Sequence, residues 1–176
     1  MASGKTTVLW EFARLGFPTL DTDAVVHRLY FEPEIQQKIM KKFSTLDKKA
    51  IAEHVFSHPT ERQWIERLLH PHVWAEIQKW RSSFVRDPPM CFVEVPLLFE
   101  AGWAKRFDAV ILVKAPSSAS EKRASAKGLT PGQLRARQFT QWPDEKKEKA
   151  ADYVIDNSKN ISTLHLRIID ILKDLA

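Results

Sequence analysis

The chain has 176 residues, of which 44% are hydrophobic and 28% are charged, and its formal net charge is +5. These values predict one compact globular domain and exclude a disordered or low-complexity protein. The longest apolar runs, 95–99 and 109–113, are far shorter than the ~20 residues that a membrane-spanning helix requires. The first residues do not follow the order of a secretion signal, and one cysteine, Cys91, excludes an internal disulfide. A cytoplasmic protein without a membrane partner is expected.

Helical periodicity begins near the first residue. Apolar side chains at helical spacing predict a helix over 7–15, with Gly16 as its C-terminal cap. A short extended stretch over 17–20 follows. Pro33 suits the first turn of a further helix that extends to residue 42.

The middle of the chain is also predicted to be helical. Asp47 can cap a helix that reaches residue 56. Thr60 and Gln63 resemble a capping box at the start of the next helix. Pro71 predicts the opening of another helix, which ends before residue 87.

Three apolar segments in the second half predict buried strands, at 90–95, 109–113 and 153–155. A basic helical pair over 117–149, with a turn at 128–132, separates the last two strands, and a helix over 161–175 closes the chain. Strands that alternate with helices predict an α/β fold with a parallel sheet.

The excess positive charge lies in one segment. Residues 114–149 contain nine basic and four acidic side chains, a net of +5, and the rest of the chain is balanced at 18 of each sign. This concentration indicates an anion-binding site, with a solvated helical face as the alternative for any one residue. No aromatic stripe interleaves with the basic residues, so nucleic acid is not the expected partner.

Ser3-Gly4-Lys5-Thr6 match the closing half of the phosphate-binding loop G-x-x-x-x-G-K-[ST]. Glycine lets backbone N–H groups close on phosphate oxygens, and a helix N-terminus favours an anion. The lysine reaches the β and γ phosphates, and the threonine hydroxyl ligates Mg²⁺. The four residues predict a nucleotide site, and a structural lysine at a helix start is the alternative.

The loop's first glycine, and the strand that normally leads into it, would precede Met1. Four or five buried apolar side chains contribute ~6 to 15 kcal/mol, comparable with the ~5 to 15 kcal/mol stability of a domain. The sequence therefore leads us to expect that the natural protein starts upstream and that this chain has reduced activity.

Asp21 and Asp23 follow the short stretch over 17–20 and precede a helix that carries His27. Carboxylates at the C-terminal end of a strand can project toward a phosphate loop in a parallel sheet, where one could act as a general base. The alternative is that both merely cap the next helix.

Five segments occur in an order and at separations that resemble the dephospho-CoA kinase family: ASGKTT, DTDAVVH, LLHPHVWAEI, VEVPLLFEAGW and ADYVIDN. The match runs over 3–172. The resemblance implies a P-loop NTPase-type parallel sheet flanked by helices, with a helical acceptor region and a basic helical lid. The implied division is a core over 1–30, 88–116 and 150–176, an acceptor region over 31–87, and a lid over 117–149.

The implied activity is ATP-dependent phosphorylation of the ribose 3′-hydroxyl of dephospho-CoA, which yields CoA and ADP in the last step of coenzyme A biosynthesis. The cofactors would be ATP and Mg²⁺, with Thr6 as the metal ligand and Asp23 as the base. The resemblance assigns nucleotide contacts to Ala2, Ser3, Gly4, Lys5, Thr6, Thr7 and Asn157. It assigns acceptor contacts to Asp21, His70, Pro71, Pro96, Leu97, Leu98 and Glu100.

The lid would supply Arg123 and Arg137 to the transferred phosphate. Lys127 and Lys48 stand where the family commonly has arginine, and lysine lacks the bidentate fork of arginine. Glu94 stands where a Walker-B-like acid could lie. Leu97 and Leu98 could instead be core residues.

Two alternatives to the implied activity stay open: another small P-loop kinase that acts on a nucleotide or metabolite, and a noncatalytic nucleotide- or CoA-binding protein. Four histidines, His54, His58, His70 and His72, suggest a metal cluster, but their spacing fits no standard zinc pattern. Structural roles are therefore expected for them.

Overall fold

The computed structural model describes residues 3–85, 90–126, 128, 141–158 and 161–175. The chain forms two compact units: unit 1 is Met1–Thr19 with Pro88–Ala176, and unit 2 is Leu20–Asp87. Within the described ranges, no helix combines the length and the apolar character needed to cross a bilayer.

Helices and strands alternate in the second half of the chain, and helices dominate the first. In chain order the described elements are α1 (Lys5–Arg14), β1 (Thr19–Asp21), α2 (Thr22–Leu29), α3 (Pro33–Phe43), α4 (Lys48–Ser57), α5 (Pro59–Ser82), β2 (Phe92–Glu94), a 3₁₀ turn (Ala104–Arg106), β3 (Ile111–Lys114), α6 (Ser117–Ala126), α7 (Asp144–Ala150), β4 (Tyr153–Asp156) and α8 (Ile161–Leu175).

Strands β3 and β4 are parallel neighbours, with Ile111 opposite Tyr153 and Lys114 opposite Asp156. Just before β3, the Val110 N–H donates to the Asp152 carboxylate at 2.8 Å. Parallel strands require a long crossover connection, and the segment with α6 and α7 provides it. The predicted parallel α/β arrangement is therefore confirmed.

The core of unit 1 lies where α1 and α8 pack against these strands. The Phe12 ring stacks on Phe92, with centroids 3.7 Å apart, and the Phe92 N–H donates to the Pro18 carbonyl at 2.9 Å. The buried cluster consists of Val8, Phe12, Val113, Ile155, Leu164, Ile168 and Ile171. This cluster fixes the start of α1, and with it the phosphate loop.

Unit 2 contains the helices α2 to α5. Val25, Ile35 and Ile39 are almost completely buried among them. Two predicted helix starts are confirmed: Pro33 lies in the first turn of α3, and the Asp47 carboxylate accepts the Lys49 and Ala50 N–H groups to cap α4.

The prediction that Pro71 opens a helix is wrong, because Pro71 lies inside α5. A proline in a helix interior loses one backbone hydrogen bond and costs about 3 kcal/mol. The buried side chains of Leu69, Val73 and Ile77 flank it on the same helix. Packing on both sides of the proline therefore outweighs its local cost, and the helix continues to Ser82.

The predicted capping box at Thr60 and Gln63 is also wrong. Helix α5 begins earlier, with Pro59 in its first turn and His58 as an N-cap that makes no side-chain capping bond. The fixed φ of proline is already helical, so it starts the helix without a side-chain acceptor.

The strand limits differ from the predicted ranges by at most two residues. β1 starts after Pro18 and reaches Asp21, and β2 covers only Phe92–Glu94. Pro96 cannot donate to a strand ladder, and after it the chain turns, with the Ala101 N–H bonded to the Leu97 carbonyl at 2.9 Å. Cys91 precedes β2 and is half-buried rather than fully buried. Most of the predicted turn at 128–132 lies outside the described residues.

Candidate functional site: a phosphate loop beside a basic cavity

The phosphate loop begins at a glycine whose backbone is left-handed. Gly4 is the N-cap of α1 with φ 92° and ψ 27°, a conformation that side-chain-bearing residues rarely adopt. Its carbonyl accepts the Val8 N–H at 3.1 Å. The first turn of α1 contains no acidic residue, so the positive end of the helix dipole is not neutralised there.

Asn157 holds the loop from the end of β4. Its side-chain amide donates to the backbone carbonyl of Ser3 at 2.8 Å, and both residues are buried. The Asn157 backbone N–H donates in turn to the Lys114 carbonyl at the end of β3. Two adjacent strand ends therefore anchor the residue that precedes Gly4.

Thr6 and Glu94 bring two oxygen groups together. The Thr6 hydroxyl donates to the Glu94 carboxylate, with the oxygens 3.5 Å apart. Thr6 lies in the first turn of α1, and Glu94 is the last residue of β2. A hydroxyl and a carboxylate are ligands that Mg²⁺ accepts, so the residues present fit a magnesium ion.

A cavity of about 670 Å³ lies beside this loop in unit 1. Its volume is within the ~300 to 1,000 Å³ typical of small-molecule sites. Ser3 and Lys5 line it together with Pro96, Leu98 and Glu100. The structure thus brings the predicted phosphate-loop residues next to three of the predicted acceptor residues.

Two further lysines, Lys114 and Lys147, line the same cavity. The Lys114 ammonium donates to the Glu148 carboxylate at 2.6 Å. This hydrogen bond raises the pKa of Lys114, and the charge of Glu148 adds to the effect while partial burial opposes it. Lys114 therefore remains protonated well above neutral pH.

Lys147 and Glu100 form a buried ion pair at 3.2 Å. The same Glu100 oxygen accepts the backbone N–H of Trp142 at 2.7 Å, and Lys147 also donates to the Gln141 side chain at 3.3 Å. The second Glu100 oxygen is buried and has no hydrogen-bond partner among the described residues. This network connects the turn after β2 to the start of α7. We name it the Glu100–Lys147 network.

The network was not predicted from the sequence. Lys147 lies in a run of charges over 144–149 that is typical of a solvated helix, so the sequence does not distinguish it from its neighbours. Trp142, which stacks on Phe99 at a centroid distance of 5.7 Å, was the available signal: a tryptophan immediately before a charged helix indicates burial of that helix's first turn.

Asp21 and Asp23 lie in unit 2. Asp21 is the N-cap of α2, and its carboxylate accepts the Asp23 N–H at 2.8 Å. The capping alternative therefore holds for Asp21. Asp23 is exposed in the first turn of α2, His70 is half-buried and Pro71 is exposed, both within α5.

Five other predicted site residues are exposed or lie partly or wholly outside the described part of the chain. Thr7 is exposed on α1, and Leu97 is partly exposed and does not line the cavity. Arg123 lies in α6, but its side chain is outside the described part of the chain. Ala2 and Arg137 lie outside the described residues.

Known proteins resemble the chain over nearly all of its length. A family model described as dephospho-CoA kinase matches residues 1–163. A dephospho-CoA kinase of Thermus thermophilus is 33% identical over 181 aligned positions, covering 100% of this chain and 88% of the relative. The enzyme of that name from Rhodopseudomonas palustris is 34% identical, covering 98% and 90%.

Solved structures agree. The crystal structure of TT1252 from Thermus thermophilus superposes with a TM-score of 0.86 at 31% identity, covering 100% of this chain and 94% of that one. Dephospho-CoA kinase from Campylobacter jejuni gives 0.70 at 26% identity, covering 99% and 92%. The P-loop NTPase fold, the loop at Gly4 and the sequence matches lead to one conclusion. The chain belongs to the dephospho-CoA kinase family.

Proposed function

We propose that this protein transfers the γ-phosphoryl group of ATP to the ribose 3′-hydroxyl of dephospho-CoA, yielding CoA and ADP. The observation that carries the proposal is the left-handed Gly4 at the N-terminus of α1, held through Ser3 by the buried amide of Asn157. This arrangement presents the N–H groups of the first turn of α1 to an anion.

In this proposal the nucleotide phosphates bind at the first turn of α1. Lys5 contacts the β and γ phosphates, as the lysine of a phosphate loop does. Thr6 and Glu94 would hold Mg²⁺, which supplies neutralisation of phosphate charge when it is bound. The cavity beside Lys5 is large enough for a nucleotide or part of the acceptor.

We propose that Asp23 accepts the proton of the 3′-hydroxyl. Its exposed position in the first turn of α2 leaves it accessible to a ligand, whereas Asp21 is already used as the helix cap. The assignment of a core, an acceptor region over 31–87 and a lid over 117–149 belongs to the same proposal.

The test is a steady-state assay of the full chain with MgATP and dephospho-CoA, following ADP and CoA. Asp23→Asn should lower turnover by about 10² to 10⁴, the usual contribution of a general base, and should leave ATP affinity within a few-fold. Glu53→Gln, an exposed acid on α4, is the matched control and should retain wild-type turnover.

Other outcomes identify the alternatives. Turnover of nucleoside monophosphates without turnover of dephospho-CoA would reassign the protein to another small-kinase activity. ATP or CoA binding without ADP formation would make it a noncatalytic binding protein. A collapse of ATP affinity in Asp23→Asn would place that carboxylate with the metal rather than the acceptor.

A further inference from the structure

Two histidines and a glutamate converge where α4 meets α5 in unit 2. One candidate metal-ligating atom from each of His54, His58 and Glu61 lies within 4.8 Å of the others. His54 is in the last turn of α4, His58 joins the two helices, and Glu61 is in the first turn of α5. We call these three residues the junction cluster. It is separate from the residues that line the phosphate-loop cavity.

Backbone contacts already orient one of the two imidazoles. The Nδ1 atom of His58 lies 2.7 Å from the backbone carbonyl of His54. A carbonyl only accepts hydrogen bonds, so Nδ1 carries the hydrogen and the lone pair of a neutral ring is left on Nε2. Metal-ligating histidines commonly donate their second ring N–H to a carbonyl in this way.

The other two members are already in contact. The Nε2 atom of His54 meets a carboxylate oxygen of Glu61 directly, and the rings of His54 and His58 stack with centroids 4.1 Å apart and planes 12° from parallel. Stacked rings have their edges side by side. Their in-plane lone pairs run nearly parallel, so the side chains must rotate to turn both Nε2 atoms and the carboxylate toward one point.

The donor set selects the ion. Two imidazole nitrogens with one carboxylate oxygen suit Zn²⁺, which binds such ligands at about 2.0 to 2.2 Å in a tetrahedron completed by water. Ligand atoms around such an ion lie roughly 3.3 to 3.5 Å apart. The candidate ligand atoms of the junction cluster lie within 4.8 Å of one another, so they need to approach by little more than about 1 Å to bind the ion. Ca²⁺ and Mg²⁺, which prefer oxygen ligands, fit the site poorly.

We propose that His54, His58 and Glu61 bind Zn²⁺ or a similar divalent transition metal, which clips the end of α4 to the start of α5. The side chains are partly exposed, so the ion enters from solvent and keeps an open position. Lys42, whose ammonium lies 3.8 Å from the second Glu61 oxygen, weakens binding by charge repulsion.

The test is calorimetric titration of the nucleotide-free full chain with ZnCl₂, alongside thermal melts with and without the metal. We expect one site per chain and a higher melting temperature with Zn²⁺. His58→Gln and Glu61→Gln should each weaken binding at least about tenfold, the lower bound for loss even of an outer-shell partner. Co²⁺ bound in place of Zn²⁺ should give the intense visible absorption of a four-coordinate site.

His165→Ala, a half-exposed histidine of α8 in unit 1, is the matched control and should bind Zn²⁺ like the wild type. Lys42→Met should bind it more tightly, which tests the site without removing a ligand. Absence of binding, or equal affinity in the wild type and in both ligand variants, would overturn the proposal. Loss of Zn²⁺ binding in Cys91→Ser, together with normal Zn²⁺ binding in Glu61→Gln, would also overturn the proposal.

Discussion

The phosphate loop depends on the left-handed backbone conformation of Gly4. A side chain in the left-handed region costs roughly 1 to 2 kcal/mol, and at Gly4 this cost falls on the turn that should face the nucleotide. Gly16 provides a comparison within the same chain, because its φ is +88° and a Cβ there would meet no atom of the described residues within 4 Å.

We therefore expect Gly4→Ala and Gly16→Ala to lower the free energy of unfolding by similar amounts, about 1 kcal/mol each. Only Gly4→Ala should also weaken ATP binding, by about fivefold, which is the change in affinity that ~1 kcal/mol produces. Urea denaturation and calorimetry with ATP measure the two effects. Equal ATP affinity in the two variants would separate Gly4 from the nucleotide site.

A helix cap could be predicted from neighbouring residues in the sequence, but contacts between residues of different helices could not. Asp47 caps α4 because a carboxylate before a helix finds N–H groups two and three positions ahead. The junction cluster does not follow from the spacing of the histidines, because its third member, Glu61, lies in the next helix. No spacing rule brings a glutamate of the next helix to those histidines.

The Glu100–Lys147 network links two elements that border the cavity. It attaches the turn after β2 to the first turns of α7, and both side chains are about nine-tenths buried. Removal of one partner leaves a polar group buried without its hydrogen bonds, which costs more than the net value of the bond itself.

Lys147→Met should therefore lower the free energy of unfolding by about 1 to 3 kcal/mol, measured by urea denaturation. A second change, Glu100→Gln, should restore part of that loss because no unpaired carboxylate remains. The control is Lys146→Met: this neighbouring lysine lies 3.4 Å from the centre of the Trp142 ring, and its loss should cost no more than about 1 kcal/mol. Equal effects of both lysine variants would contradict the assignment.

Element type was more predictable than element limits. Apolar periodicity predicted α1 and α8, and the helix-start residues Pro33 and Asp47 predicted α3 and α4. The use of proline as a helix-start signal failed at Pro71, because buried neighbours on both sides keep α5 continuous. The three-residue strands also shifted, since their ends depend on backbone partners far along the chain.

At the scale of the whole molecule, the excess positive charge lies in one segment of the chain. All of the net charge of +5 arises within residues 114–149, and two lysines of that segment line the cavity. The sequence locates this charge, but it does not identify which side chains contact a phosphate, because a count of charges carries no spatial information.

As part of the proposed function, we expect Arg123→Ala and Arg137→Ala each to lower turnover by up to ~10³-fold, as loss of a phosphate-stabilising arginine does. Thermal stability should hardly change, because neither proposed role is structural. Lys149→Ala, an exposed lysine of the same segment, should keep turnover near the wild-type value. Wild-type turnover in both arginine variants would make the lid a solvated surface.

The bond between Asn157 and Ser3 joins residues 154 positions apart. During synthesis, unit 2 is continuous in sequence and emerges from the ribosome complete while the loop at Gly4 still lacks its anchor. Contacts of such long sequence separation form slowly because loop closure must come first. A nascent chain therefore gains its helices early, but it acquires a nucleotide-competent loop only once Asn157 has been translated and β4 has docked beside β3.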